Sequence, residues 1–169
     1  GFCSEYVLQQ YHRDIRIFPI YEGTTGIQSL DLLGRKVTLK GGEAMKLLAA
    51  EMMETIQSAS KYEELRTYAA KLGTKMQLMQ KVMGFLTEFA KTGDYERFLS
   101  DANLFMEFFS NIVIGWLWLD MAVQSKEALV TGNKDYSEEF YESKIHAMRF
   151  YFKYELVKTI SLSEALMDE

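Results

Sequence analysis

Cysteine and proline occur once each in the 169 residues, and both shortages exclude a good deal. A single thiol, Cys3, rules out an intramolecular disulfide and any cysteine-based zinc site. With no basic neighbour to lower its pKa, it reads as an inert thiol rather than a nucleophile. One proline, Pro19, and a scarcity of β-branched residues beyond Lys40 leave little to interrupt helices and little to build strands. A basic excess is missing too: 19 Lys and Arg are scattered among 24 Asp and Glu, for a net charge of −5. No basic stripe forms, which argues against a nucleic-acid partner. No signal-peptide pattern is visible, so a cytoplasmic location is the default expectation. The longest uncharged part of the most apolar run, Phe108 to Leu119, falls short of the ~20 residues a spanning helix needs. Glu107, Asn111 and Asp120 would also have to enter lipid, so a membrane span is not expected. His12 and His146 lack a cysteine or Glu-x-x-His partner and read as structural residues, leaving no metal site.

What is present is apolar. With 48% hydrophobic and 14% aromatic residues the chain can bury a core for one globular domain plus an attached segment. It opens without methionine, inside the helix-like "GFCSEYVLQQYHRD", and reads as a piece of a longer protein. Glu5 to Ile17 forms a short amphipathic pattern through Tyr6 or Val7, Gln10, Tyr11, Asp14 and Ile15. The residue before a proline is biased away from helix, so a break is expected near Phe18. "YEGTTG" follows as a loop. Ile27 to Val37 resumes helical spacing, with Ile27, Leu30, Leu32 or Leu33, and Val37 on one side. Gly41-Gly42 is the clearest linker.

Four helical segments follow, from Glu43 to about Ala59, Lys61 to Thr92, Tyr95 to Val130, and Ser137 through Ile160. The third has the strongest seam: Phe98, Ala102, Phe105, Phe109, Ile112, Trp116, Leu119 and Val123. Gly93 and Gly132 are C-terminal glycines, while Asp94, and either Asp135 or Ser137, are candidate N-caps. Asn111 and Asp120, on an otherwise apolar helix, suit a polar network between helices, or else mark a ligand tunnel. The ten methionines fall mostly on the seams, as core filling. The expected fold is all-α: an antiparallel up-down four-helix bundle over residues 43–169, preceded by one or two short helices within residues 1–40.

Glu22 stands alone between Pro19 and Gly23-Thr24-Thr25-Gly26. Beside Ile20 and Tyr21 a carboxylate would be partly desolvated, which raises its pKa and suits a general base. A helix cap or a surface acid on the next helix's dipole is the plainer alternative. The glycines and threonines add close backbone approach, hydroxyls and first-turn amides, a place for phosphate or carbonyl oxygens. No Lys-Ser/Thr pair follows, so this is not a P-loop.

The stretch "YHRDIRIFPIYEGTTGIQSLDLLGRK" closely resembles the C-terminal signature of the acyl-CoA dehydrogenases, Tyr-x-Arg-Asp-x-x-Ile-x-x-Ile-Tyr-Glu-Gly-Thr-x-x-Ile-Gln. "DLLGRKV" followed by a glycine pair and a bundle is similar to the large subgroup with an extra C-terminal helical domain, some members of which act on 3-methylthiopropionyl-CoA. The resemblance implies that residues 1–40 end a catalytic helical domain and that 43–169 are appended to it. It implies Glu22 as the base that removes the α-proton of an acyl-CoA thioester, while the β-hydrogen leaves as hydride to flavin N5. It places Gly23 against substrate and Thr24, Thr25 and Gly26 at an FAD site. An electron-transfer flavoprotein or similar acceptor and a homo-oligomer are the implied partners. The donors that stabilise the enolate would lie elsewhere, so these 169 residues alone are expected to be inactive. Without their catalytic domain, Tyr11, Ile17, Ile20 and Tyr21 are expected to be exposed, rearranged or docked on a neighbouring chain. The competing reading is a helical oligomerisation or partner-docking module without catalytic role. Peripheral membrane attachment is disfavoured, since Glu138, Glu139, Glu142 and Glu155 offset Lys144, Arg149, Lys153 and Lys158.

Overall fold

Glycine and short polar residues punctuate the chain where their conformational freedom and side-chain acceptors are needed. The structure, a computed structural model, describes residues 5–18, 20–21, 24–132 and 135–168. Among them no strand occurs, and the helices run α1 Leu8–Ile15, α2 Thr25–Asp31, a π-helical turn Leu32–Lys36, α3 Leu39–Ala59, α4 Glu63–Thr92, α5 Tyr95–Ser100, α6 Ala102–Thr131, α7 Glu138–Tyr154, a 3₁₀ turn Leu156–Lys158, and α8 Thr159–Leu166. The all-α expectation holds. At the end of α4, Gly93 takes φ 86° while its amide donates to the Ala90 carbonyl (3.2 Å) and the Asp94 amide to that of Phe89 (2.9 Å). Those two bonds are the Schellman closure that a left-handed residue permits. The Asp94 side chain then accepts from the Arg97 amide at 3.1 Å and starts α5. Ser137 caps α7 in the same way through the Phe140 amide, 3.3 Å away.

Three expectations need correction. The segment Tyr95 to Val130 is two helices, α5 and α6, divided at Asp101 (φ −103°, ψ 27°). Ser100 and Asp101 offer side-chain acceptors and donors that compete with the helical ladder, and Ser100 donates back to the Arg97 carbonyl at 3.0 Å. The last segment also breaks, at Glu155 (φ −105°, ψ −53°), so Leu156 is buried but Ile160 is half exposed. In the stretch after Thr24, Ile27 and Leu30 are exposed, and the buried stripe is Ser29, Leu33 and Val37. The π-helical turn, closed by the Val37 amide on the Leu32 carbonyl at 3.1 Å, holds an extra residue and turns the inward face. Lys40, Gly41 and Gly42 all have positive φ (50°, 69° and 81°) within the bounds of α3, so regular helix resumes at Glu43.

α6 is the centre of the packing, touching α2, α3, α4, α7 and α8. Its Phe105, Phe108, Ile112 and Leu119 are fully enclosed, together with Met52 of α3, Leu65 and Leu72 of α4, and Met148 of α7. By length and composition alone α6 could cross a membrane; its packing on five neighbouring helices accounts for the buried part of that apolar surface. On the rim, Glu64 of α4 pairs with Lys126 of α6 and with Arg149 of α7 (3.2 Å), tying three helices.

Candidate functional site

The joint between α1 and α2 is built from a cap and an anchor. Thr24 is extended (φ −73°, ψ 152°) and its Oγ1 accepts from the Ile27 amide at 3.4 Å, the N-cap arrangement that starts α2. Thr25 and Gly26 are the first residues of that helix, where amides have no carbonyl one turn back within the helix. Among the described residues, its chain neighbours and its own helix's backbone aside, no atom lies within 4 Å of where a Cβ on Gly26 would stand, so the backbone there is open to approach. One turn on, the buried Ser29 hydroxyl donates to Asn103 Oδ1 of α6 at 2.6 Å and lies 2.8 Å from the Gly26 carbonyl. Leu33 and Val37 continue this attachment into the core. A threonine-glycine rim is thereby held at fixed height over α6.

The described apolar side chains around the joint are exposed. Tyr11, Ile17, Ile20 and Tyr21 are all exposed, as are Phe18 and Ile27. The rings of Phe18 and Tyr21 lie tilted to each other with centroids 6.0 Å apart. Of the expected site residues, Thr24, Thr25 and Gly26 are contiguous at the start of α2, whereas Glu22 and Gly23 lie outside the described residues. Cys3 and Pro19 lie outside them as well. Below the joint, Asp31 accepts two bonds from Arg35, at 2.5 and 2.8 Å, and this pairing holds its carboxyl below the usual range, with Lys36 assisting. Ser29 and Asn103, the residues that anchor the joint, carry no motif. The only signal was the four-residue spacing of Ser29, Leu33 and Val37, and it competed with the equally regular Ile27 and Leu30.

The polar residues of α6 join neighbouring helices. Asn111 Oδ1 accepts from the Tyr151 hydroxyl of α7 at 3.1 Å. Burial first, and the Glu155 charge second, push that phenol up to about 12. Trp116 Nε1 donates to Thr55 Oγ1 of α3 at 2.8 Å, and Asp120 sits beside the same hydroxyl at 3.5 Å. Among the described residues no three His, Cys, Asp or Glu side chains gather as a metal site would require.

Comparison with known proteins gives this arrangement a context. The family described as acetyl-CoA dehydrogenase C-terminal like matches residues 48–169. A broad-specificity linear acyl-CoA dehydrogenase of Mycobacterium tuberculosis is 30% identical over 159 residues, covering 90% of this chain and 26% of that protein. A butyryl-CoA dehydrogenase of Syntrophomonas wolfei is 27% identical over 167 residues, covering 98% of this chain and 27% of its own length. A 3-methylmercaptopropionyl-CoA dehydrogenase of Ruegeria pomeroyi is 49% identical over 61 residues, covering 36% of this chain and 10% of that protein. The chain thus spans about a quarter of the length of the first two relatives, at 26% and 27%.

Proposed function

The chain belongs to the acetyl-CoA dehydrogenase C-terminal-like family, and from that premise we propose that the full-length protein is an FAD-dependent acyl-CoA dehydrogenase to which these residues supply the catalytic base. One observation carries the reading. The alignment with the Syntrophomonas butyryl-CoA dehydrogenase covers 98% of the chain, so it runs through Tyr21-Glu22-Gly23-Thr24 and on into the bundle. Residues 1–40 would complete a catalytic helical domain and 43–169 would be appended to it. That division is supported by the left-handed run at Lys40–Gly42 and by a family match that begins only at residue 48.

In this reading the Glu22 carboxylate accepts the α-proton of an acyl-CoA thioester. Such a proton is weakly acidic, so the base must be held away from bulk water, and Ile20 and Tyr21, exposed in these residues alone, would supply apolar cover once the rest of the protein packs on them. Gly23 lets the thioester approach the backbone without a side chain in the way. Thr24, Thr25 and Gly26 would hold an edge of the flavin: Gly26 leaves open space, Thr25 brings a hydroxyl, and both amides open the helix. When bound, FAD supplies the uptake of the β-hydrogen with its electron pair, leaving a carbon–carbon double bond. An electron-transfer flavoprotein or similar carrier would reoxidise it, and the cytoplasm would be its compartment. The 169 residues alone would not turn over substrate, because the enolate donors would lie outside them. The test is flavin content and dye reduction by the full-length protein with a series of acyl-CoAs. Yellow protein that reduces the dye with one of them supports the reading; colourless, inactive protein overturns it.

An exposed apolar stripe on α6 (Ile114, Leu117, Met121) favours a second reading, in which the bundle also joins subunits. Light scattering of the 169-residue chain would show a dimer or larger species in that case. A monomer at high concentration would reject it.

A further inference from the structure

A groove of about 860 Å³ lies between α4 and the bend that joins α7 to α8, formed by none of the residues of the Glu22 joint. That volume is within the roughly 300–1,000 Å³ typical of small-molecule sites. Its lining follows from helical spacing. Tyr68, Lys71 and Lys75 form one stripe of α4, and His146, Arg149 and Lys153 form one stripe of α7, both at i, i+3, i+7. Phe152 and Leu156 close the floor. The break at Glu155 turns α8 and leaves Tyr154, Val157 and Ile160 as an apolar wall, each about half exposed (49%, 47% and 47%).

The charge is one-sided. Among the described residues no Asp or Glu lines the groove, although the chain as a whole carries −5. Arg149 reaches Glu64 at 3.2 Å, and Glu64 lies outside the lining. Lys71 and Lys153 rest over the rings of Tyr68 and Tyr154, at 5.5 and 5.0 Å, with no carboxylate partner among the described residues. Lys75 is half buried, has neither ion pair nor hydrogen bond among the described residues, and is held below the usual lysine pKa by desolvation. A desolvated ammonium with no counter-charge is an unfavourable arrangement that an anion relieves.

We propose that this groove binds a single-chain amphiphilic carboxylate, a fatty acyl anion whose head group meets Lys71, Lys75 and Lys153 while its tail lies along Tyr154, Val157 and Ile160. An apolar wall beside unpaired cations complements both ends of such a molecule. A flat bilayer fits less well, because Lys75 sits within the groove and does not protrude from it.

The test is calorimetric titration of the whole chain with sodium dodecanoate below its micelle-forming concentration, beside dodecanol and phosphatidylglycerol vesicles. The expected result is saturable binding of one dodecanoate per chain, with dodecanol at least tenfold weaker. The double variant Lys71→Gln/Lys75→Gln, which alters no core residue, is expected to weaken dodecanoate at least tenfold with an unchanged melting temperature. Ile160→Asn, which makes the wall polar without adding charge, is expected to weaken dodecanoate and dodecanol alike. Absence of saturable binding, equal affinity for dodecanol, or full affinity in the double variant would overturn the proposal. Association with vesicles but not with monomeric dodecanoate would overturn it too, and would make the groove a membrane contact.

Discussion

Tyr151 illustrates how much a single side chain owes to distant residues. Its hydroxyl donates to Asn111, 40 positions earlier, and burial with the nearby Glu155 charge pushes its pKa from 10.0 up to about 12. The folded state therefore prefers the neutral phenol. The stability this lends is whole below pH 10.0 and is withdrawn as pH climbs from there through about 12. Subtracting the ultraviolet titration of Tyr151→Phe from that of the wild type should isolate one phenol with a midpoint near 12; a midpoint near 10.0 would show that the burial is wrong. Thr55 offers a second test. Thr55→Val leaves the Trp116 indole N–H without its acceptor, and an unpaired donor of that kind costs about 1–3 kcal/mol in denaturant unfolding. Neither contact could be read from sequence. Asn111 and Asp120 were visible as polar residues on an apolar helix, but their partners were not, because nothing local links Asn111 to Tyr151 or Trp116 to Thr55. Glu22 is the opposite case: its proposed role comes from a contiguous motif.

Helix ends were legible where chemistry marks them, and breaks were hidden where the apolar pattern runs on. Gly93, Asp94, Gly132 and Ser137 each carry the residue type that their backbone geometry requires. Asp101 has a capping residue's chemistry but makes no cap hydrogen bond, Glu155 lacks that chemistry, and Phe98, Ala102 and Phe105 are buried across the first break just as one continuous helix would have them. The second break has its reason in another element. Gly115 of α6 lets Leu156 come so close that a Cβ there would stand 3.0 Å from Leu156 Cδ1 and 3.6 Å from a Tyr151 ring carbon. Gly115→Val should therefore cost about 1–3 kcal/mol by overpacking, outweighing the gain of removing a glycine from a helix. Unchanged or raised stability in urea unfolding would mean that the bend after α7 does not depend on that close approach.

At the scale of the whole molecule, one apolar helix organises the rest. α6 receives the two long helices before it, the two after it, and α2, and through α2 it also positions the Thr24–Gly26 rim. The bundle was readable as all-helical because apolar spacing is the dominant signal in residues 43–169 and proline is absent there. The attachment of residues 25–37 to α6 was not, because a π-helical turn shifts the buried face in a way that simple periodicity cannot register. The proposed role of this anchored joint is to serve a flavoenzyme with Glu22 as its base. Turnover by Glu22→Gln in the full-length protein tests it most directly, read as acyl-CoA-dependent dye reduction alongside flavin absorbance. Loss of a general base is expected to slow turnover by about 10²–10⁴-fold while the flavin stays bound. Wild-type turnover in that variant, with the same flavin content, would contradict the assignment.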